Sequence, residues 1–365
     1  MLHEQARKKI AVIGGGNIGT QFACVCAAKG HQVNVYSSKP EAYSGTLTIV
    51  DESGSVVCEG IVSKITADLG KAVSDCDIVF ITLPSFMFEE LAKKLLPYAS
   101  QKMKIGVIPG TGGAEFAFRE CVQAGATLFG LQRVPCVARL REYGRTVCVE
   151  GKRDKLHLAA IPKEESSEMA LLMSELFDMP CEILDNYLCV TMTPSNPILH
   201  TTRLCSMFSD YANGVVYERN PLFYGEWTDA ASELLLACDE EHQKMLAKLV
   251  DLDLTGVRSL REHYESQTTQ QLTNKLQSIK SLHNLSSPMV RVETGWIPDF
   301  SSRYFTADFP YGLAIIEQIA QIVGIDTPNI RMTMDWYRRV TGDTKCLCLC
   351  DNGIRTIQDI YELYQ

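Results

Sequence analysis

One stretch near the start of the chain, "KKIAVIGGGNIGTQFACVCAAKGHQVNVYSS", constrains the fold more than any other. A short apolar segment leads through glycines into a helix pattern at about residues 17–29, and a second strand pattern follows at about residues 32–36. Two strands joined by a helix in this way form a βαβ unit with parallel strands. The chain is therefore expected to contain a doubly wound α/β domain of the Rossmann type.

Gly14, Gly16 and Gly19 of this stretch follow the order GxGxxG. In that pattern the first glycine makes a tight turn, the second lets a pyrophosphate approach bare backbone, and the third lets helix and strand pack closely. The free amide groups at the helix start, from Asn17 and Ile18 onward, then face the phosphates. The sequence therefore predicts a bound dinucleotide.

The end of the second strand indicates which dinucleotide is preferred. Ser37, Ser38 and Lys39 stand where NAD-specific folds usually carry an acidic residue for the ribose hydroxyls. Hydroxyls and a cation accept a 2′-phosphate that a carboxylate would repel, so NADP is the expected cofactor and NAD the alternative. Lys39 is also compatible with an ordinary solvated loop.

Two later segments continue the doubly wound order. "DIVFITLP" predicts a buried strand followed by a helix, and "KIGVIPGTGGAEF" predicts a strand, a glycine turn and a helix. Ligands of such sheets bind beyond the carboxyl ends of the strands, although glycines there also serve plain turns. The residues expected at this edge are Pro84, Ser85, Gly110, Thr111, Gly112 and Gly113.

The domain plan follows from length and from a change of pattern. The composition, 46% hydrophobic and 22% charged, is that of an ordinary globular protein. Its 365 residues are more than a single hydrophobic core usually contains, so two domains are expected. Residues 46–62 alternate around Ser53 and Gly54 like a hairpin that decorates the sheet, whereas the spacing from Thr193 onward is helical. We expect a dinucleotide-binding domain over residues 1–187 and an all-α domain over residues 188–365.

Charge and composition exclude several partners. The formal net charge of −9 argues against nucleic acid, because phosphate neutralisation needs clustered lysine and arginine. The first residues, "MLHEQARKKIAVIGGG", fit neither a signal peptide nor a spanning helix, so no membrane partner and a cytoplasmic location are expected.

The chain has fourteen cysteines scattered on apolar runs, which is typical of small buried side chains in a reducing compartment. "KCLCLCD" would place Cys346, Cys348 and Cys350 on one face of an extended segment. Zinc sites normally use CxxC-type spacing, so ordinary packing and no metal are expected here.

Two segments of the helical half carry candidate chemistry. "TPSNPILH" places Asn196 and His200 before a helix, and "SSRYFTADFPYGLAI" places Arg303 and Asp308 before a break at Pro310. A carboxylate can orient an acid/base histidine, and an arginine can clamp a substrate carboxylate with its planar fork. The same residues also suit a hydrogen-bonded core histidine, a helix cap and a surface ion pair.

The combined motifs resemble the octopine/nopaline (opine) dehydrogenases. "NPILH" and "RYFTADFPYGL", after "GGGNIG" and "PGTGGAEF", carry the resemblance, which extends to "LQRVPCVAR", "FYGEWTDA" and the closing "NGIRTIQDIYELY". It implies a Rossmann domain followed by a helical domain like the C-terminal domain of 6-phosphogluconate dehydrogenase. The implied enzyme condenses an amino acid with a 2-oxo acid such as pyruvate and reduces the imine with NAD(P)H.

The resemblance also implies roles for single residues. In that family the residue matching His200 is the proton donor and acceptor, Asp308 matches its partner, and Arg303 matches the anchor of the oxo acid's carboxylate. Asn196 is expected either to hydrogen-bond substrate or nicotinamide, or to serve the turn between Pro194 and Pro197. Further candidates, for the amino-acid side of the site, are Arg139 and Tyr224.

Two other functions fit parts of the sequence. A reductase of a simple 2-oxo acid or a phosphorylated ketone shares the two-domain plan, but such enzymes commonly use a lysine, and "TPSNPILHTTRL" contains none. A non-catalytic NADP-binding protein would need no acid/base group. The apolar helix faces are compatible with a homodimer and equally with core packing.

Overall fold

The computed structural model describes residues 7–365, so the expectation about the first residues lies partly outside the described range. The chain divides into two compact units, one ending at Val190 and one running from Thr191 to Gln365. The boundary expected from the sequence falls after residue 187, a little before this division.

The first unit is built on parallel strands whose centre is apolar on both faces. Its strands are Lys9–Ile13 (β1), Gln32–Tyr36 (β2), Thr46–Val50 (β3), Val56–Ile61 (β4), Lys64–Thr66 (β5), Ile78–Ile81 (β6), Lys104–Val107 (β7), Thr127–Leu131 (β8), Val137–Glu142 (β9), Thr146–Glu150 (β10), Leu156–Ile161 (β11) and Cys181–Ile183 (β12). The main sheet has the order β12-β11-β8-β7-β6-β1-β2-β5, and only the pairing of β8 with β11 is antiparallel. The strand order reverses between β1 and β6, which confirms the predicted doubly wound fold and locates its ligand-binding edge.

Helices connect these strands as the spacing predicts. They are Asn17–Ala28 (α1), Leu69–Val73 (α2), Phe88–Leu95 (α3), Ala114–Ala117 (α4), Arg119–Gln123 (α5), Ser166–Phe177 (α6) and Leu188–Thr191 (α7), with short 3₁₀ turns at Pro40–Ala42, Ser85–Met87, Leu96–Tyr98 and Lys163–Glu165. Helix α1 packs on the sheet through Phe22, whose ring contacts those of Phe80 and Phe177. This packing fixes the helix start against the carboxyl end of β1.

The hairpin predicted at residues 46–62 forms, but the expectation that it decorates the main sheet is wrong. Strand β3 pairs in parallel with β10, so that β4, β3, β10 and β9 make a separate four-stranded sheet. Its buried side chains, among them Leu47 and Val147, share a core with α1. The second sheet buries an apolar face of α1 that the main sheet leaves uncovered, and this burial stabilises the arrangement.

The second unit is mainly helical, as the apolar spacing predicts. Its elements are Leu199–Met207 (α8), Asp229–Leu246 (α9), Leu260–His263 (α10), Thr269–Gln277 (α11), Lys280–His283 (α12), the strands Met289–Val292 (β13) and Gly295–Pro298 (β14), a π-helical segment at Tyr304–Leu313, and the helices Ala314–Ile322 (α13), Pro328–Thr341 (α14) and Ile357–Tyr364 (α15). The antiparallel pair of β13 and β14 is an addition that the helical spacing does not predict.

Two smaller expectations are corrected. The break expected before Pro310 is absent, because the π-helical segment continues through that residue and leads directly into α13. Ordinary packing was expected for the three clustered cysteines, but Cys346 and Cys350 are exposed and only Cys348 is partly covered. Residues 342–348 form neither helix nor strand, and the segment is held instead by single contacts: the Leu347 amide donates to the Pro310 carbonyl at 2.9 Å, and Leu349 is buried.

Nine of the fourteen cysteines are buried, and all fourteen are free thiols in the described range. This fits the prediction that they serve as small apolar side chains. No helix within residues 7–365 combines the length and the apolar character needed to cross a bilayer.

A buried histidine in the second unit is expected to control acid stability. His242 on α9 is fully buried, neither ring nitrogen has a hydrogen-bond partner among the described residues, and burial lowers its pKa to about 3. Below an unfolded pKa of roughly 6.5 the unfolded chain binds a proton that the folded chain refuses, so stability falls as the pH falls.

We therefore expect the wild type to lose about 2 kcal/mol of stability between pH 7 and pH 5 through His242, and we expect His242→Leu to abolish this loss. Urea unfolding across this range measures the difference, and pH 8 isolates packing effects because both side chains are then uncharged. Burial raises the pKa of Asp239 to about 7, which acts in the opposite direction but is common to both proteins. Parallel stability curves for the two proteins would contradict the prediction.

Candidate active site

The glycine turn after β1 has the geometry that its sequence pattern requires. Gly14 has a φ of +115°, and a β-carbon there would lie 2.7 Å from Thr82 Oγ1. A β-carbon on Gly19 would overlap the carbonyl oxygen of Gly14, so the third glycine permits close packing of helix and strand. Nothing lies within 4 Å of the corresponding position at Gly16. This open space is where a pyrophosphate can meet bare backbone.

The helix start offers backbone donors rather than side chains. Gly16 caps α1 and has no side chain to satisfy the first amide groups, which have no acceptor within the helix. Asn17 Oδ1 instead accepts from the Leu140 amide at 2.8 Å, which ties α1 to β9. The side chain of Ile18 packs on the core of the unit. Both residues can therefore reach phosphates only through their amides.

Two tyrosines behind the glycine turn were not foreseen from the sequence. A β-carbon on Gly15 would overlap the hydroxyl of Tyr43 and lie 2.9 Å from that of Tyr143. The two rings meet edge to face, with centroids 5.5 Å apart. The extra glycine in "GGG" is the one signal that could have indicated a bulky neighbour.

The three residues after β2 differ in their surroundings. Ser37 is buried, and its hydroxyl lies 3.0 Å from that of Tyr143 and accepts from the Lys39 amide at 3.1 Å. Ser38 and Lys39 are exposed. No carboxylate follows β2 directly, so this edge lacks the acidic partner that ribose hydroxyls usually receive.

The glycines after β7 have structural explanations as well. A β-carbon on Gly110 would lie 2.6 Å from the Gly130 backbone, and its carbonyl accepts from the Tyr187 hydroxyl at 3.1 Å. Gly112 and Gly113 have φ values of +87° and +76°, which favour glycine. Pro84, Ser85 and Thr111 are partly exposed at the same edge.

In the second unit the structure brings two of the predicted catalytic residues together. His200 Nδ1 lies 2.7 Å from Asp308 Oδ2, and the two side chains are 12% and 17% exposed. Asp308 therefore orients the imidazole rather than capping a helix. His200 Nε2 lies 3.2 Å from the Tyr224 hydroxyl, and the Tyr304 ring contacts the imidazole with centroids 4.7 Å apart.

Local backbone structure explains this placement. The amides of Ile198 and His200 bond to the carbonyls of Pro194 and Asn196, so the proline-rich stretch turns into α8 and His200 falls in its first turn. The π-helical segment passes close by, because Gly312 has no β-carbon to meet Pro197, which would be 2.8 Å away. The close approach at Gly312 thus places Asp308, four residues earlier in the same segment, beside His200.

The remaining candidate residues differ in the contacts that they make within the described range. Arg303 is exposed at the start of the π-helical segment and has no hydrogen bond or ion pair to any residue in the range 7–365. The Asn196 side chain likewise lacks a partner there, which leaves both groups available to a ligand. Arg139, on β9, donates to the neighbouring Ala138 carbonyl at 3.0 Å. Tyr224, the other candidate for the amino-acid side, is the one whose hydroxyl lies close to His200.

Known proteins resemble both the first and the second half of this chain. Residues 183–341 match the family model for the NAD/NADP octopine/nopaline dehydrogenase alpha-helical domain, and residues 9–114 match that for the NAD-dependent glycerol-3-phosphate dehydrogenase N-terminus. Octopine dehydrogenase of Mizuhopecten yessoensis is 25% identical over 362 residues, covering 92% of this chain and 90% of the relative.

Solved structures share the fold. Octopine dehydrogenase with NADH and L-arginine aligns with a TM-score of 0.81 and 23% identity over 97% of each chain. Yersinopine dehydrogenase with NADP⁺ aligns with a TM-score of 0.67 and 11% identity, covering 98% of this chain and 97% of the other. Fold and site thus define an oxidoreductase with a nicotinamide dinucleotide cofactor. Within that class, the chain is similar to the octopine/nopaline (opine) dehydrogenases, through the helical-domain match and through a relative that spans most of its length.

Proposed function

We propose that this protein condenses the amino group of an amino acid with a 2-oxo acid such as pyruvate and reduces the imine with NAD(P)H. The observation that carries the proposal is the 2.7 Å contact between His200 Nδ1 and Asp308 Oδ2 on a family-matching helical domain. A carboxylate at Nδ1 fixes the imidazole tautomer and stabilises the imidazolium, which makes Nε2 the proton-exchanging atom.

Each unit contributes a separate part of the chemistry. The glycine turn of the first unit would hold the dinucleotide, which supplies the hydride when bound. Loss of water from the carbinolamine needs an acid, a role that His200 can perform. Arg303 has no partner among the described residues, so its planar guanidinium is free to pair with the oxo acid's carboxylate. Asn196 is proposed as a further hydrogen-bonding group for substrate or nicotinamide.

The test follows oxidation of NADPH and NADH by their absorbance, with pyruvate and pooled amino acids, beside reactions lacking the amines. Oxidation that requires both substrates supports reductive condensation. Oxidation with the oxo acid alone indicates a simple reductase, and tight cofactor binding without oxidation indicates a non-catalytic protein. Single amino acids then identify the amine that is accepted.

We propose NADP as the preferred cofactor, with Lys39 as the cation that favours its 2′-phosphate. Because Lys39 is exposed and no carboxylate follows β2 directly, Lys39→Glu should weaken NADPH binding by about tenfold and NADH binding much less. Titration of cofactor fluorescence measures both dissociation constants. Lys102→Glu, at the amino end of β7 and so at the opposite edge, is the control. Equal losses for both cofactors would contradict a role at the 2′-phosphate.

We also propose a cytoplasmic location and a homodimer. The free thiols support a reducing compartment, and the apolar helix faces support self-association. Light scattering of the purified protein determines its mass in solution, and fractionation of the source cells determines its location.

A further inference from the structure

Both ring nitrogens of His200 are occupied by groups of its own unit. Asp308 takes Nδ1, and the Tyr224 hydroxyl lies 3.2 Å from Nε2. The rings of Tyr304 and Phe223 meet the imidazole edge to face, with centroids at 4.7 and 5.7 Å. The imidazole is thus held from four sides, and Nε2 points at a hydroxyl.

Tyr224 is itself held in place. It is only 5% exposed, and its ring stacks on Trp227 at an angle of 26°. The loop that carries it is tied at both ends, because Phe223 donates its amide to the Leu285 carbonyl at 2.7 Å and Trp227 donates to the Tyr224 carbonyl at 3.1 Å. A substrate therefore cannot displace this hydroxyl without moving a packed loop.

Arg203 connects the loop to the helix that carries His200. It lies one turn further along α8 and is 3% exposed. Its guanidinium donates to the carbonyls of Phe223 at 3.0 Å, Glu226 at 2.7 Å and Leu222 at 3.4 Å. It also lies over the Trp227 ring, 5.2 Å from the centroid. One helix thus sets the position of the histidine and of the tyrosine together.

We propose that the Tyr224 hydroxyl carries the proton between His200 Nε2 and the substrate, and that Arg203 is the positioning residue that holds Tyr224 there. The inference rests on the proposed function. In the dehydration step, the tyrosine hydroxyl gives its proton to the hydroxyl of the carbinolamine and takes the proton of the imidazolium Nε2. The carbon–oxygen bond breaks with its electron pair on the departing water. The amine lone pair forms the carbon–nitrogen double bond, which leaves an iminium ion for the hydride.

Tyr224→Phe tests the relay because it removes one oxygen and keeps the ring packing. We expect kcat to fall by about 10²-fold, with a changed pH profile and an altered solvent isotope effect, while cofactor affinity and Tm stay close to wild type. The matched control is Tyr217→Phe, which removes a hydroxyl from the same unit where the ring packs on Phe208 and Tyr211. Wild-type kcat in Tyr224→Phe would overturn the proposal, and so would a fall in kcat with an unchanged pH profile.

Arg203→Lys tests the positioning role while keeping a positive charge. A lysine cannot reproduce the fork that joins three carbonyls, so we expect kcat to fall with the same change of pH profile as in Tyr224→Phe. Adding Tyr224→Phe to Arg203→Lys should then cause little further loss, because both changes remove the same contact. Fully additive losses would assign Arg203 to packing alone and overturn its positioning role.

A measurement without turnover separates this inference from the proposed function. The imidazole ¹⁵N resonances of His200, followed with pH, report the bonding at Nε2 in wild type and in Tyr224→Phe. A different titration in the variant supports the His200–Tyr224 pairing, and identical curves overturn it. Failure of the wild type to oxidise NAD(P)H with any oxo acid and amine would instead reject the proposed function, whatever the resonances show.

Discussion

His200→Asn is expected to lower kcat by about 10²–10⁴-fold while the dissociation constant for NADPH stays within about twofold of wild type. The amide of asparagine can still donate to Asp308, so the largely buried carboxylate keeps a partner and the fold is preserved. The residues proposed to bind the cofactor lie in the other unit, on the glycine turn after β1. Steady-state kinetics and cofactor fluorescence separate the two effects.

Asp308→Asn is the companion variant. It keeps a hydrogen-bonding group at Nδ1 but removes the charge that stabilises the imidazolium, so kcat should fall on the order of 10²-fold. The control is Asp335→Asn, on the exposed face of α14, which should retain full activity. A His200→Asn variant that keeps kcat within about threefold of wild type would remove the histidine from the mechanism.

The glycines of the turn are expected to separate into two kinds. Gly19→Ala should destabilise the protein by about 1–3 kcal/mol and weaken cofactor binding, because its β-carbon would overlap the Gly14 carbonyl and displace the turn. Gly16→Ala should leave the free energy of unfolding within about 0.5 kcal/mol of wild type, because the space beyond it is open. Its cofactor affinity should nevertheless fall by at least about tenfold, because the methyl group would occupy the phosphate's approach.

Urea unfolding and cofactor fluorescence on the same preparations measure this contrast. Gly45→Ala is the control, since Gly45 is exposed and nothing lies within 4 Å of its β-carbon position. If Gly16→Ala binds NADPH and NADH as the wild type does, the open space at Gly16 is not the pyrophosphate site. If Gly19→Ala is as stable as Gly16→Ala, close packing does not explain the third glycine.

Local patterns were sufficient for the parts of the fold that depend on neighbours in sequence. The βαβ unit, the hairpin at residues 46–62 and the long helices α9 and α14 follow from apolar spacing and turn residues. The segments carrying His200 and Asp308 also stood out, because prolines and polar residues interrupt apolar runs there. What spacing could not supply was the 2.7 Å contact that joins them.

The sequence by itself determined the doubly wound fold, the helical second half and the family resemblance, because these depend on periodicity and on short motifs. Only the tertiary structure decided the parallel pairing of β3 with β10, the packing of Tyr43 against Gly15, and the place of Tyr224 at Nε2 of His200. Each of these joins residues far apart in the chain or on different elements. Such contacts depend on which apolar surfaces are buried against each other when the elements pack together. Local sequence patterns contain no information on that pairing.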